Sequence, residues 1–218
     1  MLSFAEENYL KAIYHLSQEG KEEVSTNSIS ENLHTRPASV SDMVRKLALK
    51  GVINHKKYQG VTLTKDGIAN ALLVIRKHRL WEVFLVEKLR FNWDQVHEVA
   101  EQLEHIRSPL LIERLDKFLG HPKFDPHGDP IPDKNGKIIS KPRIPLARLK
   151  KGQVGKIAAV KDTSALFLQY MDKIGAQIGA NIRVIEKVAY DGSLEVKIDQ
   201  NKTVFVSSQV SKNILVFY

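Results

Sequence analysis

The chain has 218 residues, of which 43% are hydrophobic, and a formal net charge of +8 at neutral pH, so it is long enough to bury a substantial core. It contains no cysteine, which excludes disulfides, thiolate metal ligands and cysteine nucleophiles. It also lacks a run of about 18 apolar residues and a signal-peptide pattern at its start, so we expect a cytoplasmic protein without membrane contact.

Three helices are predicted in the first quarter of the chain. The first begins at Ser3, which can form a capping box with Glu6, and its apolar periodicity continues through the segment YLKAIYHL. A short polar helix follows, with Asn27 as its expected cap. The third helix has Pro37 in its first turn and ends at Gly51.

Two short strands around a turn at Tyr58–Gly60 are predicted next. Three helices followed by a basic hairpin form the pattern of a winged helix-turn-helix. Residues 1–65 are therefore predicted to be a DNA-binding domain. Between His34 and Lys57 six basic side chains stand against one acidic side chain, as on a phosphate-binding face. The alternative is a helical bundle with a chance basic hairpin.

In this fold the second helix of the pair enters the major groove with its N-terminal end. Short polar side chains there can approach base edges, and an arginine can pair with guanine. Basic side chains farther along the helix and on the wing suit phosphates. The expected DNA-reading end comprises Thr35, Arg36, Pro37, Ala38, Ser39, Ser41 and Asp42, and the expected phosphate contacts are Arg45, Lys46, Lys56 and Lys57.

Residues 66–140 are predicted to form a helical domain. One long helix runs from Asp66 to about Arg90, a second from about Asn92 to Arg107, and a third starts at Pro109. The long helix carries apolar side chains around most of its circumference, so it must be buried on several sides. We therefore expect it to contribute to a homodimer interface.

Metal-ligand residue types concentrate on these helices. Imidazoles and carboxylates lie on the sides where the helices are expected to pack, and a buried charge is costly unless it is paired. A divalent cation would offset that cost, whereas the alternative is a set of surface ion pairs. The helix lacks the H-E-x-x-H motif of zinc proteases and the paired E-x-x-H motifs of di-metal bundles. The residues are His78 and Glu82 on the long helix, and His97, Glu101, Glu104 and His105 on one face of the next.

The segment 121–145 holds six of the chain's eight prolines and is expected to be a linker or an ordered loop. Residues 141–150 are assigned as a linker, and the short β-rich runs of 151–218, with one helix near Ala165–Gly175, suggest a small SH3-like barrel. The predicted fold class is therefore mainly α, a winged helix-turn-helix plus a helical dimerisation domain, with a C-terminal all-β SH3-like domain.

Four parts of the chain carry a resemblance to a known family. The winged helix and the segments RKHRLWEVFLVEKL, DQVHEVAEQLEHI and ERLDKFLGHPKFDPHGDPIP resemble the diphtheria toxin repressor family of metal-dependent transcriptional repressors. The likeness is greater to its manganese-responsive branch, which includes the streptococcal manganese repressors. It covers essentially the whole chain, including the C-terminal domain, which resembles the FeoA (ferrous-transport-A) type.

The resemblance implies two metal sites in each subunit. The first site would use Asn8, Glu101, Glu104 and His105, with His78 as a further candidate. The second would use His78 or Glu82 with His97, together with Asp125 and His127 from the loop FDPHG. Asp162, in the segment VKDTS, would complete the second site from the C-terminal domain.

The departures from the family pattern concern the metal. Iron-type members have methionine and cysteine where this chain has Asn8 and Glu101, and the streptococcal relatives have cysteine at the position of Asp125. Oxygen ligands without soft sulfur favour Mn²⁺, with Fe²⁺ second. Manganese-type members usually have aspartate at position 8, so the neutral amide of Asn8 predicts a weaker or differently tuned first site.

The resemblance implies a repressor of metal-homeostasis genes in which a divalent cation orders a homodimer for binding to operator DNA. The metal would connect the first helix to the dimerisation domain and thereby set the separation of two recognition helices. An alternative is a metal-independent winged-helix regulator that senses a small molecule. A metalloenzyme would need an open coordination position, a general base and a cleft, none of which the sequence marks.

Overall fold

The structure is a computed structural model that describes residues 2–56, 60–139, 141–199 and 202–218, with residues 56 and 202 described by their backbone. The chain divides into two compact units. Unit 1 comprises Met1–His78, Glu101–Ile112 and Pro132–Ile138, and unit 2 comprises Arg79–Ala100, Glu113–Ile131 and Ile139–Tyr218. The domain boundaries expected from the sequence stay a prediction.

Unit 1 begins with three helices and a hairpin. They are α1 (Phe4–Leu16), α2 (Thr26–Asn32) and α3 (Pro37–Leu49), followed by β1 (Ile53–Lys56) and β2 (Gly60–Leu63). The two strands pair antiparallel with Ile53 opposite Leu63, and Val24 adds a bridge to Val61. The winged helix-turn-helix predicted from the sequence is thereby confirmed, although Tyr58 and Gln59 of the predicted turn lie outside the described residues.

Side-chain caps determine where the first helices begin. The predicted capping box is confirmed, because Ser3 Oγ accepts from the Glu6 amide while Glu6 Oε2 accepts from the Ser3 amide. The predicted cap of α2 is wrong: Ser25 Oγ accepts from the Ser28 amide at 3.0 Å, and Asn27 already lies within the helix. The backbone of Ser25 is extended, with a φ of −72°, as an N-cap requires.

The apolar side chains of unit 1 form one core. Leu10 and Ile13 of α1, Ile29 of α2, and Val44 and Leu47 of α3 are fully buried. Burying such a side chain contributes roughly 1.5–3 kcal/mol relative to leaving it exposed. Because these positions of α3 face the core, the polar side chains at its N-terminal end remain at the surface.

Three more helices follow: α4 (Lys65–Glu87), α5 (Val96–Leu103) and α6 (Pro109–Phe118). α4 starts close to the hairpin at Gly67, where a Cβ atom would lie 1.9 Å from the carbonyl oxygen of Val52. A larger residue therefore cannot replace Gly67 without moving the backbone. α4 ends at Glu87, before Arg90 takes up a positive φ of 62° that is incompatible with a continuing helix.

α5 is shorter than the helix predicted over 92–107. It ends at Leu103, and the Ile106 amide bonds back to the Leu103 carbonyl at 3.1 Å, which places Glu104 and His105 in a turn. Pro109 disfavours helical backbone at the residue before it, so the chain leaves one helix before the next begins. The prediction that four ligand-type side chains share one helical face is therefore wrong, since the last two lie beyond the helix.

The proline-rich segment is an ordered loop. The Asp125 amide donates to the Asp129 carbonyl at 2.9 Å, and Phe124 and Pro130 form an isolated bridge. The prediction of no helix or strand over 121–145 holds for the described part of 121–143, whereas the last two residues form the short strand β3 (Ile144–Pro145).

The elements that follow β3 in unit 2 are β4 (Val154–Val160), α7 (Ala165–Ile174), β5 (Asn181–Lys187), β6 (Leu194–Ile198), β7 (Lys202–Val206), α8 (Ser208–Asn213) and β8 (Ile214–Phe217). The strands form a six-stranded antiparallel sheet in the order β3-β8-β4-β5-β6-β7. Alternate side chains of its strands, such as Ile182 and Val184, are buried in a second core. The predicted C-terminal β domain is confirmed, and the structure adds α8 and the 3-10 helix Leu146–Arg148, which the sequence did not predict.

Within the described residues, no helix combines the length and the apolar character needed to cross a membrane.

Candidate metal centres and DNA-binding surface

The turn after α5 places Glu104 at the centre of a polar cluster in unit 1. Its side chain has no exposed surface, and its two oxygens have different partners. Glu104 Oε1 accepts from Lys11 Nζ at 2.7 Å, and Oε2 accepts from His78 Nδ1 at 2.5 Å. The structure thus brings Glu104 into contact with His78, the further candidate for the first site, and the assignment of both to a metal site stays a prediction.

His105 connects the same turn to α1. Its Nδ1 lies 2.7 Å from Glu7 Oε2, its ring stacks on Phe4 with centroids 4.8 Å apart, and its Nε2 lies 3.7 Å from Glu104 Oε1. With Nδ1 bonded to Glu7, Nε2 is the ring nitrogen that faces Glu104. A carboxylate that holds one nitrogen of a histidine in this way is the usual companion of a metal-binding imidazole.

α1 contributes side chains that the sequence analysis did not select. Glu7 contacts His105, and Lys11, one turn later, also lies 3.3 Å from Glu101 Oε1. Asn8, the residue expected in the first site, is exposed on α1, and half of the Glu101 side chain is exposed. The only sequence feature that could have pointed to Glu7 is its position next to Asn8. That feature does not show which of the two side chains faces inward.

The charges of this cluster are balanced by its own lysines. Burial alone would raise the pKa of Glu104, but hydrogen bonds and charge from His78 and Lys11 outweigh it, so its pKa is lowered. Burial lowers the pKa of Lys77, against the opposing effect of Glu7 and Glu104. Glu104 is therefore a carboxylate at neutral pH and remains a strong cation ligand.

The donor chemistry of this cluster fits a divalent cation. Carboxylate oxygens and imidazole nitrogens from α1, from α4 and from the turn after α5 contact one another in pairs there. Such ligands suit Mn²⁺ and Fe²⁺, and the chain has no thiolate that would favour a softer ion.

A second cluster lies in unit 2, where Glu82, Asp125 and His127 are all buried. Each offers a ligand atom, and these atoms lie within 4.8 Å of one another. His127 Nε2 donates to the carbonyl oxygen of Trp93 at 2.8 Å, and its Nδ1 lies 3.7 Å from Glu82 Oε1. His97 Nδ1 lies 3.5 Å from the same oxygen, although about half of its side chain is exposed.

The electrostatics of the second cluster favour an added positive charge. Burial and the nearby charge of Glu82 raise the pKa of Asp125 to about 7, although Arg79 Nε lies 3.3 Å from its Oδ2. Burial would lower the pKa of His127, but its interaction with the Glu82 carboxylate raises it. The positive charge near the buried carboxyl groups of Glu82 and Asp125 is thus too small to offset the cost of ionising both. A cation would supply the missing positive charge.

Asp162 follows β4, which lies beside the loop of this cluster, but its side chain makes a different contact. The Val160 amide donates to the His127 carbonyl at 3.0 Å, which brings β4 beside the loop. The loop passes closely at Gly128, where a Cβ atom would lie 2.1 Å from the Ala158 carbonyl oxygen. Asp162 Oδ1 accepts from the Ser164 amide before α7, and Asp162 is not one of the three converging ligands.

The surface expected to read DNA lies at the start of α3. Of the predicted residues, Thr35 and Ser41 are half-buried, and the Ser41 hydroxyl donates to the Pro37 carbonyl within the helix. The side chain of Lys56 is not described and Lys57 lies outside the described residues. The exposed members are Arg36, Pro37, Ala38, Ser39, Asp42, Arg45 and Lys46.

Two of the basic side chains on α3 already have carboxylate partners. Arg45 lies 3.5 Å from Asp42 one turn earlier, and Lys46 Nζ lies 3.2 Å from Oε1 of the buried Glu6. Arg36 precedes the helix and makes no side-chain cap hydrogen bond. Arg36 is exposed at the N-terminal end of α3, and its role in reading a base stays a prediction.

Family models match three consecutive regions of the chain. The iron-dependent repressor N-terminal DNA-binding domain matches residues 1–61, and the iron-dependent repressor metal-binding and dimerisation domain matches residues 64–133. The FeoA domain matches residues 144–217. The family consists of DNA-binding transcriptional repressors, not of enzymes.

A solved structure and two curated proteins show the extent of the similarity. A manganese-dependent transcriptional repressor in complex with manganese has a TM-score of 0.87 and 36% identity, and the match covers 97% of this chain and 98% of that one. An HTH-type transcriptional regulator of Methanocaldococcus jannaschii is 35% identical over 113 residues, which are 52% of this chain and 90% of that protein. The diphtheria toxin repressor of Corynebacterium glutamicum is 26% identical over 208 residues, covering 88% and 91% of the two chains. The chain therefore belongs to the diphtheria toxin repressor family and is a metal-dependent, DNA-binding transcriptional repressor.

Proposed function

We propose that this repressor responds to Mn²⁺, with Fe²⁺ as the second choice, and controls metal-homeostasis genes as a homodimer on operator DNA. The observation that carries the proposal is the cluster in unit 1, where Glu104 and His105 meet His78 and α1. Its ligand atoms are oxygen and nitrogen, which suit Mn²⁺ and Fe²⁺. A solved relative with which this chain shares 36% identity is named as manganese-dependent.

In the first site, Glu101, Glu104 and His105 hold the cation, with His78 beside Glu104. Glu7 orients His105 through Nδ1, and Asn8 offers a neutral carbonyl oxygen from the same helix. A bound cation would supply positive charge that is shared by the carboxylates of α1 and of the region from Glu101 to His105. Glu101, Glu104 and His105 are thereby drawn toward α1.

α1 carries this constraint to the DNA-reading helix. Glu7 faces His105, whereas Glu6, the residue before it, is buried against Lys46 of α3 and against Lys50, which follows α3. A fixed position of α1 therefore also restrains α3. When α1 is not held, the fraction of molecules with correctly placed recognition helices falls, and the apparent affinity for DNA falls with it.

The second site uses Glu82, Asp125 and His127, with His97 at its exposed side and Asp162 as a further candidate. We therefore propose two cations in each subunit. The raised pKa of Asp125 supports this assignment, because a cation would allow both buried carboxyl groups to ionise together.

The homodimer is supported by apolar side chains of α6 that the single chain leaves exposed. Leu110 is 57% exposed and Phe118 is 65% exposed, and both lie within the region that matches the family's dimerisation domain. Two copies related by a two-fold axis would present two α3 helices, which must lie about 34–36 Å apart, or a multiple of that distance, to enter successive major grooves.

The test is DNA binding by the metal-free protein to its own upstream DNA, measured by fluorescence anisotropy across Mn²⁺, Fe²⁺, Co²⁺ and Zn²⁺. We expect Mn²⁺ to raise the affinity by about tenfold or more. An affinity that is the same in Mn²⁺ and in chelator would contradict the proposal and favour a metal-independent regulator that senses a small molecule.

A further inference from the structure

A lysine already stands among the carboxylates of the first cluster. Lys11 of α1 is largely buried, with 14% of its side chain exposed. Its Nζ lies 2.7 Å from Glu104 Oε1 and 3.3 Å from Glu101 Oε1, so one ammonium group bridges two glutamates. Both glutamates belong to the cation ligands assigned above, and this inference rests on that assignment.

An ammonium group and a metal ion compete for the same oxygen atoms. At 2.7 Å the Lys11 ammonium lies within hydrogen-bond distance of Glu104 Oε1, and a lone pair engaged there is not available to a metal. A second positive charge beside a largely buried ammonium would also be repelled. The two cations therefore cannot both have full contact with Glu101 and Glu104.

We propose that Lys11 is an internal cation which holds Glu101 and Glu104 together in the metal-free protein and which Mn²⁺ has to displace. Its side chain is a compact charge on a flexible four-carbon stem, so it can leave without a rearrangement of the helix. Lys11 would thus have two effects. It stabilises the metal-free fold by pairing a buried carboxylate, and it raises the metal concentration at which the repressor responds.

The distribution of the other lysines supports a specific role for this one. Lys50 makes a similar pair with a buried carboxylate in the same unit, at 2.8 Å from Glu6 Oε2. Glu6 is not one of the assigned metal ligands, and it faces α3 rather than the turn after α5. Lys50 is therefore a matched control. Like Lys11 it pairs with a fully buried glutamate, but that glutamate is not an assigned metal ligand.

The test compares Lys11→Met and Lys50→Met with the wild type by calorimetric titration of Mn²⁺ into the metal-free proteins, together with their thermal unfolding. We expect Lys11→Met to bind Mn²⁺ at least about tenfold more tightly while its metal-free form unfolds at a lower temperature. Lys50→Met should also unfold at a lower temperature but bind Mn²⁺ as the wild type does. Unchanged or weaker Mn²⁺ binding by Lys11→Met overturns the inference.

A second measurement covers the case in which Lys11→Met does not fold. The Nζ resonance of Lys11 in the ¹⁵N-labelled wild type can be assigned with Lys11→Arg and followed by NMR during addition of the diamagnetic ion Cd²⁺. We expect the signal of a paired ammonium to move to that of a solvated one at saturation, and a signal that stays in place overturns the inference. If the wild type binds neither Mn²⁺ nor Cd²⁺, the proposed function fails first and the inference fails with it.

Discussion

Glu104 shows what a single buried charge requires in this protein. Its side chain is wholly buried, and the contacts with Lys11 and His78 keep its pKa low despite that burial. The sequence identified Glu104 and His105 by residue type. It could not identify Glu7 as the partner of His105, because the two are 98 positions apart and their contact depends on how α1 packs.

Replacing His105 should uncouple DNA binding from metal. In His105→Ala one metal-binding nitrogen is lost while the apolar core of unit 1 stays intact, so we expect a folded dimer whose DNA affinity changes less than twofold with Mn²⁺. The measurement is anisotropy at limiting Mn²⁺. His121→Ala, which removes an exposed imidazole outside both clusters, is the control and should behave as the wild type. Wild-type response in His105→Ala would exclude His105 from the site.

Replacing Glu7 should weaken metal binding through His105. Loss of a carboxylate that orients a metal-binding histidine typically lowers affinity by about 10–100-fold, and we expect Glu7→Ala to do so in a Mn²⁺ titration. Glu7→Gln should recover part of the loss, because its amide oxygen can still accept from Nδ1. Glu22→Ala, at an exposed glutamate, serves as the control. Equal affinities for Glu7→Ala and the control would show that Glu7 has no role in positioning His105.

At the scale of elements, α1 joins the first metal cluster to α3 through consecutive residues. Burial would raise the pKa of Glu6, but hydrogen bonds from Lys50, the Ser3 amide and Lys46 lower it to about 2 from an ordinary value of 4.5. Because the folded-state value is the lower one, this contribution to stability is complete above pH 4.5 and is lost as the pH falls toward 2.

The pH dependence gives a direct check of the contact between α1 and α3. We expect Glu6→Gln to lower the free energy of unfolding by about 1–3 kcal/mol at pH 7, because a charged hydrogen bond is replaced by a neutral one. The difference from the wild type should shrink as the pH falls from 4.5 toward 2. Urea unfolding at several pH values measures it, with Glu22→Gln as the exposed control. A difference that is constant with pH would contradict the assignment.

Arg36, which precedes α3, and Arg45 of α3 should have separable roles. Arg36 is placed to read a base, so Arg36→Ala should lower operator affinity by roughly 1–3 kcal/mol and leave binding to unrelated DNA nearly unchanged. Arg45, farther along the helix, should contact phosphate. Arg45→Ala should therefore weaken binding to operator and to unrelated DNA alike, and it should reduce the slope of log affinity against log salt concentration by about one. The comparison requires competition binding with operator and random DNA, and equal losses on both DNAs for Arg36→Ala would contradict the base-reading role.

Local patterns predicted most elements but not every boundary. Capping at Ser3 and the apolar stripe of α3 are local features, and the structure agrees with them. The periodicity of 96–106 continued past Leu103, whereas the actual helix stops there because the chain turns before Pro109. The error matters for function, since it is this turn that places Glu104 and His105 in the first cluster.

At the scale of the whole chain, the family was predicted from a resemblance carried by the winged helix and by three segments of the helical region, and family models match three consecutive regions of the chain. The division into compact units was not predictable in the same way. Unit 1 recruits Glu101–Ile112 and Pro132–Ile138 from regions distant in sequence, and no local pattern encodes that packing. The recruitment has a functional consequence, since the first cluster and α3 then lie in one unit.

The central claim is that metal binding and DNA binding are coupled, and coupling must be reciprocal. The most direct measurement is the Mn²⁺ affinity of the wild type, determined by calorimetry with and without saturating operator DNA, beside the operator affinity determined with and without Mn²⁺. We predict that operator DNA raises the Mn²⁺ affinity by the same factor by which Mn²⁺ raises the DNA affinity, about tenfold or more. A Mn²⁺ affinity that operator DNA leaves unchanged would contradict the account.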